Sequence, residues 1–225
     1  MRPILQEQPA PHSLFALPEG RDRQFRFTKR SGTRFVNASA LCVAAAGERY
    51  SHAVDTRVTL VLGGARSGKS RYAEDLIAAF PPPWTYIATA DAFDAEMTER
   101  IAEHKKRRGD SWRTVDAPRD LPDAIRANRP AMPILADCLT LWLSNLMLAE
   151  QDIEAETNKL DDALAARRAP TILVANEVGF GIVPENALAR RFRDLHGRLN
   201  QRVAARADRV VLVVAGIPLV IKGAP

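Results

Sequence analysis

The octapeptide Gly63-Gly64-Ala65-Arg66-Ser67-Gly68-Lys69-Ser70 constrains this chain more than any other stretch. It matches G-x-x-x-x-G-K-[ST], a phosphate-binding loop that works only between a strand and a helix. Both flanks comply. Val58-Thr59-Leu60-Val61-Leu62 is a short apolar, β-branched run of the kind that forms a buried strand. Arg71 to Phe80 reads as a helix, stopped by Pro81-Pro82-Pro83. The glycines let successive N–H groups curl inward around phosphate oxygens. A helix beginning near Gly68 adds its positive dipole end. In this pattern Lys69 reaches the β- and γ-phosphates, and the Ser70 hydroxyl ligates Mg²⁺.

The rest of the chain repeats the strand-then-helix alternation. Strands are expected at Trp84–Ala88, Trp112–Val115, Pro133–Asp137, Thr171–Ala175 and Arg209–Val214, the last of the chain. Helices are expected from Asp91 or Asp94 to about Arg108, with Gly109 as the stop, and over Leu121–Asn128. A long helical stretch runs from Leu139 to Arg168, broken near Glu150 to Ile153. A final helix spans Glu185–Ala207, with Leu188, Phe192, Leu195, Leu199 and Val203 on one face. Such alternation implies a mainly parallel sheet with helices on both faces, and one rim that gathers every strand C-terminus. The expected class is α/β, of the P-loop NTPase-like (RecA-like) type.

Composition matters for the first 57 residues. They hold four prolines, nine Lys/Arg and five Asp/Glu, with no sustained period. A short strand at Gln24–Thr28 is the one local signal there. The expectation is a disordered or irregular extension over 1–57 and a folded domain over 58–225. The net charge of +5 is concentrated in that extension, so the basic balance is no argument for nucleic-acid binding by the body. Cys42 and Cys138 make neither a metal spacing nor a disulfide framework, which suits a cytoplasmic setting. No run of apolar residues is long enough to cross a membrane.

Four further places can carry chemistry. Asp137 closes an apolar strand, where it either organises Mg²⁺ or caps the helix at Leu139. Asp116 follows a short strand and either accepts from a ribose or base or serves the turn before Pro118. Asn176 and Glu177 end the fourth strand of the repeat and either face ligand or make a plain turn. His104 shares a helix face with Met97 and Ile101 and precedes Lys105, Lys106, Arg107 and Arg108. It is either a half-buried packing residue or a neutral imidazole that attacks a phosphoryl group while the cations hold the triphosphate.

Taken in order, several segments resemble one family. They are GGARSGKS at Gly63–Ser70, Ile87-Ala88-Thr89-Ala90, Glu99-Arg100-Ile101 with His104-Lys105, and Trp112-Arg113-Thr114. Asn176-Glu177-Val178-Gly179-x-Gly181-Ile182-Val183-Pro184-Glu185-Asn186, Ala189-Arg190-x-Phe192-Arg193-Asp194 and Leu199-Asn200-Gln201-Arg202 complete the set. From about Val58 to Lys222 the chain is similar to the bifunctional adenosylcobinamide kinases / adenosylcobinamide-phosphate guanylyltransferases of cobalamin biosynthesis. The resemblance implies phosphorylation of adenosylcobinamide by ATP or GTP. It then implies GMP transfer from GTP through a guanylyl-histidine, giving adenosylcobinamide-GDP. The guanylylated histidine falls on His104. Nucleotide contacts fall on Gly63, Gly64, Ala65, Arg66, Ser67, Gly68, Lys69, Ser70, Ala88, Thr89, Ala90, Lys105, Lys106, Arg107, Arg108, Asp116 and Asp137. Mg²⁺ falls to Ser70 and Asp137, and the resemblance implies a trimer.

Overall fold

The computed structural model describes residues 27–28, 33–34, 56–91 and 109–223. The helix expected between Asp91 and Arg108, and with it His104 and Lys105 to Arg108, lies outside the described residues. The chain divides into two compact units, Met1–Gly47 and Glu48–Pro225. In the first, β1 (Phe27–Thr28) pairs antiparallel with β2 (Thr33–Arg34). In the second, the main chain of Arg57 is already part of the sheet, ahead of the expected boundary. Thr171 N–H donates to the Arg57 carbonyl at 2.7 Å, and Arg57 N–H donates to Asp208 Oδ2 at 3.0 Å.

The second unit runs β3 (Val58–Gly63), α1 (Lys69–Ile77), β4 (Trp84–Ala88), β5 (Trp112–Asp116), α2 (Leu121–Ala127), β6 (Ile134–Asp137) and α3 (Leu139–Leu148). It continues with α4 (Ile153–Ala166), β7 (Thr171–Asn176), α5 (Ala187–Arg206), β8 (Arg209–Val214) and β9 (Ile217–Lys222). The seven strands lie in the order β5-β4-β6-β7-β3-β8-β9. All pairings are parallel except β8 with β9. The expected α/β class therefore holds.

Alternation along the strands splits the core between the two faces of the sheet. Leu60, Ile87 and Ala136 point into a cluster with Leu121 and Ile125 of α2, Trp142 and Leu143 of α3, Leu160 of α4 and Leu199 and Val203 of α5. Val61, Tyr86 and Leu135 point the other way, against Ala73, Leu76 and Ile77 of α1. Asp152 caps α4, its carboxylate accepting from Glu154 N–H and Ala155 N–H, which is why the long helical stretch restarts after Glu150.

Two expectations need correction. Arg209–Val214 is not the last strand: β9 folds back on it through Ala215 (φ 51°) and Gly216 (φ 78°). A two-residue turn with both φ values positive matches the twist of a hairpin. β9 contains Pro218, which is tolerated because β9 is an edge strand. The inward face of α5 keeps Phe192, Leu195, Leu199 and Val203 as expected and departs from expectation at Leu188. Leu188 is 54% exposed, whereas His196 and Asn200 are buried beside Leu199 and Val203.

Candidate active site

Register fixes what meets at the rim. Asp116 is level with Ala88, Ala88 with Asp137, and Gly63 with Asn176. The strand-end residues proposed from sequence thus share one edge with the phosphate-binding loop.

The loop is held from below by close packing. A Cβ on Gly63 would stand 2.6 Å from the Val213 carbonyl and meet the Ser67 hydroxyl, so only hydrogen fits there. Gly68 has φ 93° and Arg66 φ 55°, the left-handed turns that aim successive N–H groups inward. Gly216, in the β8–β9 turn, donates its N–H to the Ser67 carbonyl at 2.8 Å. Sequence reasoning missed this prop because it missed β9. On the other side, Glu177 N–H donates to the Gly63 carbonyl at 3.0 Å. Lys69 opens α1, and its ammonium donates to the Gly64 carbonyl at 3.2 Å, arched over the loop.

Asp137 is half-buried at the end of β6. The N-cap of α3 is Cys138, without a side-chain cap bond, so Asp137 is not the helix cap that the sequence left open. Burial pushes the Cys138 thiol up to about 11, the Asp137 charge adds to the rise, and Lys69 opposes it. The charges of Asp137 and Lys69 thus act on one neighbourhood. Among the described residues no group of three or more His, Cys, Asp or Glu could hold a metal. One acid and the Ser70 hydroxyl fit Mg²⁺, which takes few protein ligands and completes its shell with water and phosphate oxygens.

The segment Ala88–Ala90 runs from the end of β4 onto the rim. Thr89 is fully buried. Its hydroxyl donates to the Cys138 carbonyl at 2.7 Å and accepts from Cys138 N–H at 2.6 Å. Its carbonyl accepts from Asn145 Nδ2 at 2.8 Å, and the same amide reaches the Pro118 carbonyl at 2.9 Å. Thr89 therefore clamps the rim ends of β4 and β6 together, and Ala90 is the more accessible part of the segment. Asp116 is exposed on the rim.

Beneath the rim lies a polar network that the sequence did not signal as such. Asn176 N–H donates to Thr140 Oγ1 at 2.8 Å, and His196 Nε2 lies 3.0 Å from the same oxygen. Asn200 Nδ2 donates to the Asn176 carbonyl at 3.1 Å and lies 3.2 Å from His196 Nδ1. Burial lowers the His196 pKa to about 4, against a smaller opposing pull from Glu177. The ring is therefore neutral at physiological pH. The one visible signal is its place four residues after Phe192 and three before Leu199, where a histidine reads as packing.

Comparison with known proteins gives the family. The family model described as cobinamide kinase / cobinamide phosphate guanyltransferase matches residues 59–221. The bifunctional adenosylcobalamin biosynthesis protein CobP of Pseudomonas aeruginosa is 47% identical over 169 residues, 74% of this chain and 98% of that protein. The bifunctional adenosylcobalamin biosynthesis protein CobU of Salmonella typhimurium is 48% identical over 179 residues, 72% of this chain and 98% of that protein. Among solved structures, the flagellar accessory protein FlaH of Methanocaldococcus jannaschii aligns at TM-score 0.46 and 12% identity, covering 80% of this chain and 84% of that one. The family match spans the whole seven-stranded unit from within β3 to within β9, and on that ground the chain belongs to the cobinamide kinase / cobinamide phosphate guanyltransferase family.

Proposed function

We propose that this protein phosphorylates adenosylcobinamide with ATP or GTP and then transfers GMP from GTP, through a guanylyl-histidine on His104, to give adenosylcobinamide-GDP. The observation that carries the reading is the rim itself. A glycine-built anion loop, its lysine and two strand-end acids share one edge of a sheet whose chain belongs to this family.

Each residue then has a task. The main-chain N–H groups of Gly64 to Lys69 and the Lys69 ammonium bind the polyphosphate. Ser70 and Asp137 hold Mg²⁺, which neutralises charge on the departing phosphates. Asp116 and Ala90 are placed to meet the nucleoside, beyond the phosphates along the rim. Lys105 to Arg108 steady the triphosphate, and His104 attacks its innermost phosphorus while neutral. The bond from that phosphorus to the bridging oxygen breaks as the imidazole bond forms, and pyrophosphate leaves with the electron pair. The phosphate of adenosylcobinamide phosphate then displaces the histidine. Phe180, Ile182 and Val183, exposed in the loop after β7, offer apolar surface to a large corrinoid. A homotrimer belongs to the same reading.

Incubation with GTP labelled at the α-phosphate tests it. Label that is acid-labile, alkali-stable and absent from His104→Ala is the expected result. No label under conditions where GTP binds would remove the transferase half.

A further inference from the structure

Arg193 stands on the inward face of α5, three residues before His196. α5 follows the loop that leaves the rim end of β7 and leads down to β8. His196 and Asn200 contact Thr140 and Asn176 at the end of β7. Arg193 is therefore about one helical turn, roughly 5 Å, closer to the rim than that network.

Its environment is unlike that of other arginines on the helix. Arg190 donates to the Pro184 carbonyl at 2.9 Å. Arg202 is held by Glu154 at 2.8 Å and by Asp161 and Asn158. Arg193 is half-buried, its Nη1 is sealed from solvent, and among the described residues no hydrogen bond or ion pair satisfies it. Asn176 Oδ1, level with Gly63 at the mouth of the phosphate loop, is likewise buried without a partner. Buried charged donors are normally paired. Among the described residues, a buried cationic donor and a buried amide acceptor without partners thus both belong to the rim end that carries the phosphate loop.

We propose that Arg193 binds the phosphoryl group as it passes from the nucleotide to the acceptor hydroxyl. The inference rests on the kinase half of the reading above. In this step the acceptor oxygen bonds to the terminal phosphorus as the bond from that phosphorus to the bridging oxygen breaks. The electron pair leaves with the nucleoside diphosphate, and the hydroxyl proton passes to the carboxylate of Glu177, the residue after β7, whose Oε1 also accepts from Gly179 N–H at 2.7 Å. Charge spreads over the three equatorial oxygens, and a planar guanidinium forks onto two of them.

The test compares the full-length protein with Arg193→Gln and Arg193→Lys. Three quantities are read: kcat for adenosylcobinamide phosphorylation, nucleotide Kd, and labelling from α-labelled GTP. Arg193→Gln is expected to lower kcat about 10³-fold. It should leave Kd within about threefold, because uniform binding is untouched. Labelling and Tm should persist, since no partner is lost. Arg193→Lys should recover only a small part of kcat. Unchanged kcat in Arg193→Gln beside an active wild type would overturn this inference alone. So would a loss confined to Kd, or one that tracks a fall in Tm. A wild type that does not phosphorylate adenosylcobinamide would overturn the kinase reading and this inference with it.

Discussion

His196 has no solvent exposure, and its ring is hydrogen-bonded on both nitrogens. Its pKa near 4, against 6.5 in a free chain, means that the unfolded state binds the extra proton first. Stability is therefore fully present above about pH 6.5 and is lost as pH falls toward 4. The shift corresponds to on the order of 3 kcal/mol. Urea melts at pH 7 and pH 4.5 should differ by that order in the wild type and by much less in His196→Gln, which keeps hydrogen-bonding groups but does not titrate. At the same scale, the phosphate-loop residues Gly63, Gly68, Lys69 and Ser70 are readable in the sequence from spacing alone. It could not show that Thr89 turns inward to join two strand ends, because that depends on where Cys138 lies in space.

Among elements, α1 and β3 follow directly from the sequence, since a buried strand, a glycine turn and a helix are all local signals. β9 does not. Its apolar residues Ile217, Leu219 and Ile221 are exposed, Pro218 weakens the pattern, and its turn begins with an alanine at φ 51°. Yet that hairpin holds the phosphate loop through Gly216 N–H, and it packs so near Gly68 that an added Cβ there would stand 3.3 Å from Gly216 Cα. Gly216→Val puts a β-branched side chain at φ 78° and strains the turn. The expected outcome is a GTP Kd raised by about tenfold, roughly 1.4 kcal/mol, read by equilibrium titration. The polar residues on the inward face of α5 also have a tertiary cause: backbone groups at the rim end of β7 need partners, and Thr140 and Asn200 supply them.

For the whole molecule, the boundary between extension and body can be tested. Removal of residues 1–47 should leave Tm and GTP labelling unchanged, because that cut takes only the first compact unit. Removal of residues 1–57 also takes the Arg57 carbonyl from Thr171 N–H and the Arg57 N–H from Asp208. The expected loss is about 1–3 kcal/mol, seen as a lower Tm. Among the described residues no helix is long and apolar enough to cross a membrane.

The sequence by itself determined the α/β alternation, the parallel order of chemistry along one rim and the phosphate loop, because each is written in local period and spacing. Tertiary structure alone decided that Thr89 is a clamp and that Gly216 props the loop. It also decided that Arg193 stands half-buried, with no counterion among the described residues. The reason is physical: burial and hydrogen-bond satisfaction are properties of what packs together from distant parts of the chain, and no local pattern encodes them.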